Sequence, residues 1–147
     1  MVTAALGVSD GRRRSDIMKK PDIVVIDRDL QNGQQFCTLL KKLNYSAVLI
    51  SVWEDLEKKL AQGFQTAVIL DLDSVAVPSA GVRALRKKFP RLHILGVSRR
   101  SLHPGMEELI RSHIYACLRK PVDEDELLFW LKSIADNLAQ PEAPSEI

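Results

Sequence analysis

Five short apolar runs, at residues 23–26, 47–50, 67–70, 92–97 and 114–118, limit what this chain can fold into. A strand with one wet face alternates apolar and polar side chains. These runs do not alternate, and only His93 and Gly96 interrupt the fourth. Such runs suit strands covered on both faces, the condition of a parallel sheet. The segments between them repeat their apolar residues at helical spacing instead. Phe36, Leu39, Leu40 and Leu43 make one stripe, and Trp53, Leu56 and Leu60 a second. Val82, Leu85 and Phe89 make a third, which Pro90 stops. Met106, Leu109, Ile110 and His113 form the fourth, and Leu127, Leu131, Ile134 and Leu138 the fifth. Ser51 with Glu54, and Asp123 with Glu126, fit the capping box, in which side chains satisfy the free N–H groups of a helix start. Five strands alternating with five helices predict right-handed crossovers and an α/β, doubly wound, five-stranded parallel sheet. Function in that architecture gathers beyond the carboxyl ends of the strands.

With 147 residues, 46% of them hydrophobic and 27% charged, the chain has material for one packed domain. The expected organisation is a disordered basic leader over residues 1–20, a folded domain over 21–138 and a flexible tail over 139–147. The net charge of +2 comes from the leader, where Arg12, Arg13 and Arg14 stand together, and the rest is slightly acidic. That balance argues against a nucleic-acid-binding domain, and Arg83, Lys87 and Lys88 read as a solvated helix face. No stretch has the form of a secretion signal or the length of a membrane span, so the expected location is the cytoplasm. Cys37 and Cys117 lack CxxC spacing and are expected to be reduced, mostly buried thiols. His93, His103 and His113 are not spaced as a zinc-binding pair on a helix. The single glycine of "DRDLQNGQ" does not make the glycine-rich loop of a dinucleotide fold.

Polar groups stand where the runs end: Asp27 after the first, Asp71 after the third, Ser98 after the fourth, and Lys120 with Pro121 after the fifth. In this order and on this alternation they resemble the receiver domain of bacterial response regulators, over roughly residues 21–138. The resemblance implies a flavodoxin-like receiver fold with strand order 2-1-3-4-5 and five helices. It also implies that Asp71, in "AVILDLD", accepts a phosphoryl group from a histidine kinase or phosphotransfer protein. Ser98, in "ILGVSRR", would follow that group, and Lys120, in "RKP", would contact its oxygens ahead of a cis proline. Asp27 and Asp71 would belong to a magnesium site. The physics agrees with these roles. A carboxylate and a phosphoryl group repel each other, so a cation must offset the charge that gathers during transfer. Magnesium favours one or two carboxylates together with phosphate oxygens and water.

Several residues depart from the family pattern. Arg28, in "IDRD", stands where the second member of the acidic pair belongs. A guanidinium there opposes a divalent cation and weakens the magnesium site, unless Asp29 substitutes as a ligand. Two placements of Arg28 follow. Its fork could lie near Asp27 or Asp71, replacing the charge of the metal and favouring one conformation permanently, or it could point to solvent and leave a degraded but working site. Asp73 either adds negative charge to the crevice or is an exposed loop acid. Arg99 replaces the small residue that usually follows the hydroxyl. Cys117 occupies the position of the switching aromatic, with Tyr115 nearby as a replacement or as a packed core residue. Phe129 projects opposite the apolar stripe of the last helix, a candidate partner surface.

The resemblance leads to the expectation of a stand-alone receiver in two-component phosphorelay signalling, with Asp71, Ser98 and Lys120 at its centre, and not an enzyme. The alternative is a degenerate pseudo-receiver that acts as a phosphorylation-independent protein–protein adaptor. Expected partners are a histidine kinase, a phosphotransfer protein or another signalling protein, with a homodimer through the last helices as a further candidate. No DNA-binding output domain and no membrane partner are expected.

Overall fold

The computed structural model describes residues 23–63, 67–101, 103 and 105–139. The expected leader and the tail beyond residue 139 lie outside them. The strands are β1 (Ile23–Ile26), β2 (Ala47–Ile50), β3 (Ala67–Asp71), β4 (His93–Ser98) and β5 (Ala116–Arg119). They form one parallel sheet in the order β2-β1-β3-β4-β5. The helices are α1 (Leu30–Lys42), α2 (Leu56–Ala61), α3 (Ser79–Lys88), α4 (Glu107–His113) and α5 (Glu124–Ala139), with a 3-10 turn at Trp53–Asp55 leading into α2. The doubly wound α/β architecture is the one the apolar runs predict.

Strand alternation divides the interior into two cores. Val24, Ile26, Val68, Leu70 and Ile94 face the side covered by α2, α3 and α4, where they meet Leu56, Leu60, Val82, Leu85 and Leu109. Ile23, Val25, Ile69, Leu95 and Leu118 face Leu40 of α1 and Leu127, Leu131 and Ile134 of α5. Every residue of β1 and β3 is buried, which is why those runs carry no polar alternation. Gly33 lets α1 approach the sheet, since a Cβ there would lie 2.5 Å from Leu49 Cδ1. That close approach carries the start of α1 to the end of β1.

The structure refines several expectations. β3 and β4 each extend one residue further, taking in Asp71 and Ser98, while β5 begins at Ala116 rather than at residue 114. Asp123 does cap its helix, accepting the Glu126 N–H at 2.8 Å. Ser51 does not, because Val52 takes the cap position of the 3-10 turn without a side-chain bond. Cys117 is exposed and Cys37 half-buried, against the expectation of mostly buried thiols. β5 is an edge strand with a wet side, so only Leu118 among its residues is buried.

Candidate functional site

Parallel register assembles the site. Ile26 pairs with Leu70, so Asp27 and Asp71, the next residues, emerge side by side. Asp71 pairs with Val97 and Ser98 with Arg119, which bring the hydroxyl and Lys120 to the same rim. The Lys120–Pro121 peptide is cis, as the resemblance implies. All four residues singled out from the sequence converge at this end of the sheet, and Asp27, Asp71 and Ser98 are buried there.

The contacts among them are held by residues the sequence did not mark for these roles. Lys120 Nζ lies 2.6 Å from Asp71 Oδ1, an oxygen with no well-aligned hydrogen-bond donor besides this ion pair. The same ammonium reaches Asp73 Oδ2 at 3.2 Å. Ser98 Oγ donates to Asp73 Oδ1 at 2.7 Å, and the Arg99 N–H donates to Asp73 Oδ2 at 2.9 Å. Ser74 Oγ lies 2.6 Å from Asp71 Oδ2 and 3.2 Å from Asp27 Oδ1, bridging the two carboxylates, and takes the Arg28 N–H at 3.2 Å. Asp27 accepts further bonds from the Asp29 N–H and from Asn32 Nδ2, each at 2.9 Å. A turn closed by the Val75 N–H on the Asp71 carbonyl folds Ser74 back over Asp71. That turn is the signal a linear reading lacks, since "DLDSVAVP" has no period to reveal it.

The electrostatics follow from these partners. Burial alone would raise the Asp73 pKa, but the Arg99 amide, the Ser98 hydroxyl and the Lys120 ammonium bring it down to about 2. Burial likewise opposes charge on Lys120, yet its bonds to Asp71 and Asp73 raise its pKa on balance. Asp73 is an exposed residue whose carboxylate nonetheless reaches into the crevice. Its carboxylate holds the hydroxyl, an amide and the ammonium, donors that would otherwise face an incoming anion.

Arg28 takes the second of its two placements. It is exposed, and its guanidinium forms no ion pair among the described residues. The charge that compensates Asp71 comes from Lys120 instead. One Asp29 carboxylate oxygen accepts the Asn32 N–H and so caps α1. Magnesium does not fit this arrangement. Both Asp27 oxygens accept hydrogen bonds, both Asp71 oxygens face Lys120 or Ser74, and no three acidic, histidine or cysteine side chains among the described residues are arranged to hold a metal ion. The gap enclosed by Asp27, Asn32, Phe36, Asp71 and Lys120 measures about 10 Å³, room for one water at most.

The remaining residues take simpler roles. Tyr115 hydrogen-bonds Ser133 Oγ at 2.6 Å and Asn137 Nδ2 at 3.0 Å, anchored to α5 on the opposite side of β5 from Cys117. Phe129 is 61% exposed and packs edge-on against Trp130 with ring centroids 5.0 Å apart. No helix among the described residues is long and apolar enough to cross a membrane.

No family model and no curated protein matches the sequence. Solved structures do match in shape. A protein described as pilus assembly-related from Burkholderia pseudomallei aligns at TM-score 0.70 and 18% identity, over 84% of this chain and 96% of its own. A response regulator receiver domain protein from Clostridium thermocellum aligns at TM-score 0.70 and 16% identity, over 80% of this chain and 96% of its own. A two-component response regulator from Clostridium difficile gives TM-score 0.70 at 17% identity, over 82% of this chain and all of its own. With the strand order and the convergence of Asp27, Asp71, Ser98 and Lys120, these likenesses establish that the fold is that of the response regulator receiver domain.

Proposed function

We propose that this chain is a receiver-type module of two-component signalling that acts in the cytoplasm as a protein–protein adaptor, in a state held by its own side chains and without turnover. The observation that carries this reading is the position of Asp73. Its carboxylate already engages Ser98, the Arg99 amide and Lys120, the donors a receiver would offer to a phosphoryl group. Asp71 itself is closed in by Ser74 and Lys120. The surface assigned to a partner or a second copy is that around Phe129, so Phe129→Ala should weaken self-association or partner binding while leaving the fold intact. Unchanged sedimentation and partner binding in that variant would remove Phe129 from the reading.

A second reading is favoured by one contact, the 2.6 Å pair of Lys120 with Asp71. In it Asp71 is a phosphoacceptor. An Asp71 oxygen attacks phosphorus, the bond from phosphorus to the donor histidine or acyl group breaks, and the donor leaves with that electron pair. Asp73 and Ser74 would first have to move. Intact mass after incubation with acetyl phosphate and magnesium separates the two readings. The adaptor reading expects no adduct on the natural protein. An adduct that disappears in Asp71→Asn establishes the relay instead. Arg28→Asp and Asp73→Ala, tested alongside, show which side chain closes the site if the natural protein stays unmodified.

A further inference from the structure

At the opposite end of the sheet, the amino ends of β4 and β5 and the last turn of α4 surround a cavity of about 380 Å³. Its polar and charged lining is Arg86, His93, Arg111, Ser112, His113 and Tyr115, with no carboxylate among them. The volume falls in the range of small-molecule sites, roughly 300 to 1,000 Å³. None of the carboxylates among the described residues forms an ion pair with Arg86 or Arg111.

Uncompensated charge at this point calls for a physical explanation. Arg86 is half-buried, and its one described bond is donated to the neutral Leu92 carbonyl. Desolvating a guanidinium against a neutral acceptor is unfavourable unless an anion completes the site. The two imidazoles do not supply a counter-charge. His93 Nδ1 meets the Arg91 carbonyl, which can only accept, so that nitrogen carries the proton. Ser112 gives its single hydroxyl proton to the Glu108 carbonyl, so His113 Nδ1 must donate to Ser112 Oγ. Burial, opposed in part by the Arg91 bond, and then the positive charges of Arg86 and Arg91 push the His93 pKa down.

We propose that this cavity binds a small phosphate-bearing anion, a diphosphate or a nucleotide, held between the guanidinium groups of Arg86 and Arg111. Each guanidinium presents a planar fork that matches phosphate oxygens, and the pair carries two charges, which a multivalent phosphate neutralises and a single carboxylate does not. The site is separate from Asp71 and does not depend on how that residue is used. Two of the three histidines evenly spaced in the sequence meet here, beside arginines that a metal cation would avoid.

The test is a titration of the full-length, nitrogen-15-labelled protein with inorganic pyrophosphate, then with adenosine 5′-monophosphate, at constant ionic strength while amide shifts are followed. Saturable shifts at His93 and over residues 111–115 are expected, with binding at least about tenfold weaker in Arg111→Gln, whose exposed position lets the fold survive. Arg86→Lys, which keeps a charge and a donor for Leu92, should lose a smaller factor. Arg99→Gln, at the other end of the sheet, should bind as the natural protein does. Tighter binding of the nucleotide than of pyrophosphate would assign part of the cavity to the organic moiety, and the reverse order would assign the site to the phosphates alone. Shifts without saturation, shifts centred on Arg99 and Lys120, or unchanged affinity in Arg111→Gln would overturn the proposal.

Discussion

At the carboxyl end of the sheet Asp71 and Asp73 share one lysine, Ser74 links Asp71 to Asp27, and each of these carboxylates has a partner. At the amino end two arginines line a cavity from which carboxylates are absent. Charge in the first region is neutralised locally and becomes part of the packing. In the second it remains uncommitted. The difference teaches where substitution should cost stability and where it should leave the fold alone. A buried charge whose partner is removed is expensive, whereas an unpartnered surface cation contributes little to folding.

The largest effect should come from Lys120→Met. The lysine and Asp71 side chains are 14% and 7% accessible, so the substitution strands a carboxylate out of water beside two others. We expect a loss of roughly 3 kcal/mol in urea unfolding. Adding Asp71→Asn should restore part of that loss. If Lys120→Met alone costs less than about 1 kcal/mol, the carboxyl end is not held together by charge and the contrast between the two ends fails.

Asp73 tests the same network through pH. Its carboxyl sits at about 2, against an ordinary 3.8. A depressed carboxylate adds stability that is fully present above the unfolded value and is lost as pH falls through the folded one. Allowing for solvent screening around this exposed residue, the natural protein should therefore lose roughly 1.5 kcal/mol between about pH 4 and pH 2 from this group. Asp73→Asn should be weakened by a similar amount at neutral pH and should show a flatter acid limb. An unchanged limb would place the pH dependence elsewhere. Ser74→Ala is expected to cost less, about 1 kcal/mol, by removing the hydroxyl between Asp27 and Asp71. The same variant opens Asp71 Oδ2, so its intact mass after acetyl phosphate treatment sharpens the choice between adaptor and relay.

How much of this was legible in the sequence differs between backbone and side chain. An apolar run specifies a buried strand where burial on both faces leaves no place for a polar residue, as in β1, while the run at β2 also falls on its strand although that edge strand is only half-buried. Asp27, Asp71, Ser98 and Lys120 were legible for the same reason, since strand ends in one parallel sheet must share a rim. The roles of Asp73, Ser74 and Asn32 were not. They depend on a turn after β3 and on the entry of α1, where single backbone angles decide which side chain meets which. Ser51 misled because a Ser-x-x-Glu spacing describes a possible cap, while the chain chose a 3-10 entry from Val52. Arg28 was legible as a break in the acidic pair, but its side did not follow from spacing. Lys120 already supplies the compensating charge, so nothing draws the guanidinium inward.

The smallest expected effect is at the amino end, and it completes the contrast. Arg111 is exposed and forms no ion pair among the described residues, so Arg111→Gln in phosphate-free buffer should change unfolding stability by less than about 0.5 kcal/mol. Any change should be towards greater stability, because the substitution removes one of two like charges around the cavity. Repeating the measurement in pyrophosphate should reverse the order, since an anion that binds only the folded protein stabilises the natural chain more than the variant. The crossing of the two curves, rather than either value alone, distinguishes a charge held for a ligand from a charge held for the fold. A loss comparable to that of Lys120→Met in plain buffer would mean that Arg111 is structural, and the two ends of the sheet would no longer differ in kind.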